Sequence, residues 1–139
     1  GAGSASTSLT LAAGFVPDPS IVFTLAGGPI AASTMSVGDV WCAGYIAAAP
    51  NVTLTTTTPI YGMRILGRSG VDTTLAVRLS DGRVLCNDDG GGYPNPAVDV
   101  FDLPAGVHQI YVGTFGGGTN VPATVGFTTN ALYMNASLP

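Results

Sequence analysis

The sequence contains no lysine and no glutamate, and it has few charged residues of any kind. Its four cations are all arginine and its eight acids are all aspartate. Together they make up 9% of 139 residues, whereas about 25% is usual for a soluble domain. The net charge of −4 leaves no basic surface for a phosphate backbone. We therefore expect no nucleic-acid partner, and adhesion to anionic lipid is disfavoured for the same reason.

Long apolar runs are also missing. Hydrophobic residues make up 46% of the chain, but glycine, proline or threonine interrupts each apolar run. None reaches the roughly 18 residues that a membrane-spanning helix needs. Disorder is not predicted either, because disordered chains combine low hydrophobicity with high charge. We expect a folded domain that does not insert into a membrane.

Side chains that perform catalysis are scarce. His108 is the only histidine, and no Gly-x-Ser-x-Gly nucleophile motif is present. The glycine triplets at 90–92 and 116–118 lack the lysine of a phosphate-binding loop. His108 falls in a strand pattern with Ile110 and Val112, which favours a place on a core face. The sequence predicts a protein that is not an enzyme.

Two cysteines and the first residues point to export. The even pair Cys42 and Cys86 predicts one disulfide in an exported protein, with two buried free thiols as the alternative. Residues 1–6 are small and uncharged, as signal-peptide cleavage would leave them, with an expression remnant as the alternative. We expect a secreted protein, extracellular or at the cell surface.

The pattern of strands and turns predicts the fold class. Valine, isoleucine and threonine are abundant, and the 20 glycines and 10 prolines supply turns. Asp81-Gly82 predicts a hairpin, because this pair favours the positive φ angles of a tight turn. About ten strand candidates, the last at residues 131–134, succeed one another at intervals of about 8–12 residues. We predict an all-β fold, a single antiparallel β-sandwich of jelly-roll or immunoglobulin-like type with about 8–10 short strands.

Residues 1–19 form a segment distinct from a domain at 20–139. Gly14 and Pro17-Asp18-Pro19 separate the strand-like part of this segment from the domain. Its uncharged residues with alternating polarity are Ser8, Leu9, Thr10 and Leu11. The segment could add as a strand to a neighbouring copy through main-chain hydrogen bonds. The alternative is an ordinary edge strand in the sheet of its own chain.

A loop rich in oxygen ligands begins after Cys86. The candidate calcium ligands are Asp81, Asn87, Asp88, Asp89 and Asn95. Calcium takes about six to eight oxygen ligands, so Ca²⁺ is the cofactor that this loop suggests. The spacing does not match the helix-loop-helix calcium motif. The alternative is a turn-rich loop whose Asp and Asn side chains bond their own backbone.

Some remaining motifs allow a structural or a binding role. Trp41 either packs on a disulfide at Cys42, which we favour, or belongs to a carbohydrate-binding surface. Tyr45 and Tyr93 fall in loops and could stack on sugar rings, with an anchor for its own loop as the alternative for Tyr93, next to Pro94. Asn51-Val52-Thr53 and Asn135-Ala136-Ser137 fit the glycosylation pattern, but such triplets are frequent by chance and we expect them to carry nothing.

Several short motifs occur in an order that resembles a known family. They are Asp72-Thr73-Thr74-Leu75, Ser80-Asp81-Gly82, Cys86-Asn87-Asp88-Asp89-Gly90, Leu103-Pro104-Ala105-Gly106 and Ile110-Tyr111-Val112-Gly113. Residues 20–115 resemble the bacterial pre-peptidase C-terminal domain. Cys42-Ala43-Gly44-Tyr45-Ile46 is similar to its secreted proteobacterial members, in which two such cysteines recur. The resemblance implies a non-catalytic β-sandwich that accompanies exported hydrolases, aiding secretion or binding substrate or calcium.

The lack of lysine favours self-association. Monomeric proteins use charge, lysine above all, to keep sheet edges from pairing. An uncharged surface can be buried against copies of itself at little desolvation cost. We therefore expect a non-catalytic, secreted subunit that assembles with copies of itself into an extracellular filament or surface assembly by β-strand addition. The alternative is an accessory module of secreted hydrolases that binds calcium, polysaccharide or a protein partner.

Overall fold

The computed structural model describes residues 6–92 and 95–139, which consist mainly of β-strands and the turns between them. The strands are β1 (Thr7–Leu11), β2 (Ser20–Ala26), β3 (Ile30–Ala31), β4 (Tyr45–Ile46), β5 (Val52–Thr56), β6 (Ile60–Ser69), β7 (Thr73–Arg78), β8 (Val84–Asn87), β9 (Ala97–Leu103), β10 (Gly106–Thr114) and β11 (Val121–Thr128). Two short 3₁₀ helices span Ala32–Met35 and Asn135–Ser137. In the two ranges described, no helix has the length and apolarity to cross a membrane.

The strands form two sheets, which confirms the predicted all-β sandwich. The four-stranded sheet has the order β2-β11-β6-β9, and every pair in it is antiparallel. In the seven-stranded sheet, β10 pairs along one side first with β5 and then with β4, and along its other side with β7. β8 pairs in turn with β7. β1 lies outside β5 and runs parallel to it, so the sheet is not wholly antiparallel as predicted. Local alternation fixes which face a residue takes, but not the direction of a distant partner strand.

The main core lies between the sheets and conforms to the two-residue period of the strands. Leu75 and Val77 of β7 face inward with Ile65 of β6 and with Val125 and Phe127 of β11, and each is almost completely buried. Asp81-Gly82 lies in the predicted turn between β7 and β8, with Gly82 at a φ of 92°. Alternation and turn chemistry therefore placed the central strands correctly.

A second, smaller core lies on the outer face of the seven-stranded sheet. Residues 30–46, the cover segment, pack Met35, Cys42 and Ile46 over Ala76 and Tyr111 of the sheet. The predicted disulfide between Cys42 and Cys86 is present and ties the cover segment to β8. A disulfide is consistent with an extracellular or otherwise oxidising environment.

The last residues, 129–139, cross the outer face of the four-stranded sheet. The prediction of a strand at 131–134 is wrong. Backbone carbonyls of this stretch accept hydrogen bonds from a side chain and not from a neighbouring strand. Arg64 Nη1 donates to the carbonyl oxygens of Ala131 and Tyr133, at 3.3 and 3.2 Å. Leu138 packs over Gly126, where an added Cβ would lie 2.6 Å from Leu138 Cδ2. The absence of a side chain at Gly126 makes room for the segment.

Candidate functional site

β1 forms an open edge of the seven-stranded sheet. The Thr7 N–H donates to the Asn51 carbonyl, and the Thr57 N–H donates to the Leu11 carbonyl, both at 3.0 Å. Because backbone direction alternates along a parallel ladder, the N–H and C=O groups of Ser8 and Thr10 point away from β5. Among the described residues, no strand lies beyond β1. Two of the four predicted strand residues, Ser8 and Thr10, therefore present unpaired backbone groups on an uncharged edge.

Side chains of β1 alternate between the core and solvent. Leu11 is buried and Leu9 is partly buried against the main core, whereas Ser8 and Thr10 are exposed. Residues 12–19 then lead to β2 on the other sheet. Residues 1–5 lie outside the described part of the chain, so only the end of the predicted segment is seen.

The five predicted calcium ligands do not form one group. Asp81 lies in the turn before β8 and Asp88 comes after β8, so the strand separates them. The Asp81 carboxylate binds Arg83 Nε at 2.9 Å. The prediction that Asp81 joins the loop is wrong, because sequence proximity across a short strand places residues at its opposite ends.

The loop after β8 is organised by its own hydrogen bonds. Asn87 Oδ1 accepts from the N–H groups of Gly90 and Ala97, at 2.6 and 3.1 Å. This is the side-chain-to-backbone turn that is the alternative to a calcium site. Asp88 is half-buried and Asp89 is exposed. The Asn95 Oδ1 is buried without a partner in the described structure. Across residues 6–92 and 95–139, no three His, Cys or Asp side chains are placed to hold a metal ion together.

Asp72 is an acid in an unfavourable environment that sequence reasoning did not single out. Its Oδ1 is buried and has no hydrogen-bond partner within the described ranges. Desolvation by burial raises the pKa of Asp72, and the charges of Asp89 and Asp88 raise it further. Asp72 and the loop acids meet because β7 and β8 are antiparallel, which brings the start of β7 beside the end of β8.

We expect Asp72→Asn to stabilise the protein at neutral pH. Because the pKa is raised in the folded state, ionisation of Asp72 costs stability as pH rises from 3.8 through the higher folded value. The variant should melt above the wild type at neutral pH, and this advantage should vanish below pH 3.8. Thermal melts over pH measure this, with Asp39→Asn as the exposed-acid control. A variant that is less stable at neutral pH would contradict the assignment.

His108 lies in the core, as predicted. It is fully buried, and its Nδ1 accepts from the Ser80 N–H at 3.1 Å. Nε2 therefore carries the proton and lies 3.1 Å from the Pro104 carbonyl oxygen and 2.9 Å from Thr56 Oγ1. Desolvation lowers the pKa of His108, although the Pro104 carbonyl and Asp81 oppose this effect. A neutral, enclosed imidazole supports the fold and has no access to a substrate.

Both asparagines of the glycosylation triplets are buried and support the structure. Asn51 is 2% exposed; its Nδ2 donates to Thr24 Oγ1 and the Leu25 carbonyl, and its Oδ1 accepts from the Val112 N–H. Asn135, also 2% exposed, donates from Nδ2 to the carbonyls of Gly67 and Pro96. Neither amide can carry a glycan in the folded protein. No sequence signal distinguished these roles, because their partners are distant in the chain.

The aromatic predictions need two corrections. Tyr45 lies in β4 and not in a loop. Trp41 is 71% exposed, so the prediction that it packs on the disulfide is wrong. Cys42 turns inward while its neighbour in the extended chain points to solvent. Tyr45 is partly exposed and, together with Trp41 and Phe115, lines a shallow hollow of about 280 Å³. Tyr93 lies outside the described residues.

Comparisons of the chain with family models, with curated proteins and with solved structures find no match. The resemblance to the pre-peptidase C-terminal domain therefore stays a prediction. A functional assignment has to rest on the geometry of the chain itself.

Proposed function

We propose that this protein is a non-catalytic structural subunit that assembles with copies of itself by β-strand addition at β1. We place it outside the cell after signal-peptide cleavage, in a filament or surface assembly. The observation that carries the proposal is the open, uncharged edge of β1. A second copy would pair with the free backbone groups of Ser8 and Thr10.

The edge lacks the features that keep sheet edges apart. Monomeric β-proteins protect their edges with charge, proline, bulges or a covering segment. β1 has five residues, Thr-Ser-Leu-Thr-Leu, with no charge and no proline. It pairs with β5 over its whole length without a bulge. An added strand would find a regular row of donors and acceptors.

Burying the surface around β1 against a second copy would cost little desolvation free energy. The ion pairs of the described residues join Arg64 to Asp99 and Arg83 to Asp81 and Asp102, all outside β1 and β5. Exposed side chains of the edge are hydroxyl-bearing, as in Ser8 and Thr10. No charge of β1 or β5 would have to leave water when a second copy docks.

Lysine on the edge should abolish assembly. We expect the wild type to sediment as large particles at micromolar concentration. The double variant Ser8→Lys, Thr10→Lys should sediment as a 13.9 kDa monomer with nearly unchanged melting temperature. Both positions are exposed, so the substitutions add charge without disturbing the core. Analytical ultracentrifugation and electron microscopy measure the outcome.

The matched control adds the same charge elsewhere. Thr119→Lys, Ser137→Lys places two lysines at exposed positions away from β1 and should assemble like the wild type. A monomeric wild type, or an edge variant that assembles as well as the control, would refute the proposal.

A further inference from the structure

Three aromatic residues, two from the cover segment and one that follows β10, line one surface hollow. Trp41 lies in the cover segment, Tyr45 in β4 and Phe115 directly after β10. Their exposed fractions are 71%, 43% and 50%. Burying an aromatic ring is strongly favourable, so three exposed rings around one hollow provide a surface suited to a ligand.

The backbone segments around the hollow are fixed by covalent, steric and hydrogen-bond contacts. Cys42, next to Trp41, is fixed to β8 by the disulfide. Gly44 has a φ of 86°, and an added Cβ would lie 2.8 Å from Thr74 Oγ1. The Phe115 N–H donates to the Asp72 carbonyl at 3.0 Å. A backbone that is fixed before binding loses little conformational freedom when a ligand arrives.

No acid lines the hollow, but two acids lie next to the segments that build it. The exposed Asp39 is two residues before Trp41, and Asp72 is bonded through its backbone to Phe115. Desolvation raises the pKa of Asp72 most, and Asp89 and Asp88 lie close enough for their charges to raise it further. Asp39 and Asp72 therefore lie next to segments that build the hollow, and Asp88 and Asp89 lie near Asp72.

All four arginines lie elsewhere. Arg64 and Arg68 bind the C-terminal residues across the four-stranded sheet. Arg78 is at the opposite end of β7, roughly 17 Å along the strand from Thr73, and Arg83 is paired with Asp81 and Asp102. The charged residues next to the segments that build the hollow are therefore acidic, which favours a cation over an anion there.

We propose that the hollow binds a small quaternary ammonium cation against the rings of Trp41, Tyr45 and Phe115. The faces of aromatic rings carry negative charge density, which attracts a cation that is weakly hydrated. The surrounding acids add to this attraction and disfavour phosphates and other anions. This selectivity separates a cation site from a site that stacks neutral sugars, which would gain nothing from the surplus of acids.

Trp41 is the only tryptophan, so its fluorescence reports on the hollow directly. Choline chloride should produce a saturable fluorescence change relative to sodium chloride of equal ionic strength. A dissociation constant in the millimolar range is expected, as a rough estimate for exposed cation–π contacts. The neutral carbon analogue of choline, with a tert-butyl group in place of trimethylammonium, should bind about fivefold more weakly.

Variants of the other two rings keep the reporter. Tyr45→Leu and Phe115→Leu should each weaken choline binding by about threefold or more. Tyr61→Leu, which changes a 75% exposed tyrosine on the four-stranded sheet, should leave it unchanged. Melting curves confirm that each variant is folded. Three results would overturn the proposal: equal binding of the neutral analogue, binding of cellobiose in preference to choline, or no saturable signal by fluorescence and calorimetry.

Discussion

Replacing both cysteines with alanine should lower the free energy of unfolding by about 4 kcal/mol. The disulfide joins residues 44 positions apart, and closing a loop of this length removes much of the conformational entropy of the unfolded chain. For a chain of 139 residues, this loss corresponds to a fall in melting temperature of roughly 10–15 °C. Denaturant unfolding and calorimetry of the Cys42→Ala, Cys86→Ala variant test the prediction.

The same variant should loosen the cover segment before the rest of the molecule. β3 and β4 are two residues long, and the second core beneath the cover is small. Hydrogen exchange should therefore rise most at residues 30–46, with smaller changes in β6 and β11. Reducing the wild type under native conditions provides a control without substitution. An unchanged melting temperature would show that packing of the cover, not the covalent link, holds this region.

Asn51→Leu should destabilise the protein by about 3–5 kcal/mol. The amide joins the two sheets, since it donates to the Leu25 carbonyl of β2 and accepts from the Val112 N–H of β10. Leucine fits the space but leaves these buried backbone groups without their partners. An unsatisfied buried group costs about 1–3 kcal/mol.

Chemical denaturation of the variant measures this loss. Asn130→Ala is the matched control, because the Asn130 side chain makes a single hydrogen bond, to the Leu132 N–H, in an exposed turn. The control should lose less than about 1 kcal/mol. If the two variants were equally stable, the hydrogen bonds of the Asn51 amide would contribute little free energy to holding the two sheets together.

The proposed cation site lies directly beside the disulfide. Trp41 is adjacent to Cys42, and Tyr45 lies three residues beyond Cys42 in the same cover segment. Asp72 contributes its backbone to Phe115 and its charge to the surrounding field. The fold therefore places three aromatic residues next to the disulfide, with acidic residues on adjoining segments.

Local sequence patterns determined the class of the fold and much of its core. Alternation at Leu75 and Val77 set their inward face, and Asp81-Gly82 supplied the hairpin between β7 and β8. The paired cysteines and the strand context of His108 led to the correct disulfide and a buried histidine. These features arise from interactions within a few residues or from side-chain chemistry alone.

Only the tertiary structure decided which distant groups meet. The parallel pairing of β1 with β5, the burial of Asn51 and Asn135, and the exposure of Trp41 had no local signal. The same holds for Asp72, which is close to Asp88 only because β7 and β8 are antiparallel. Hydrogen bonds, desolvation and charge act through space, so their effect on a residue depends on neighbours that the chain brings together when it folds.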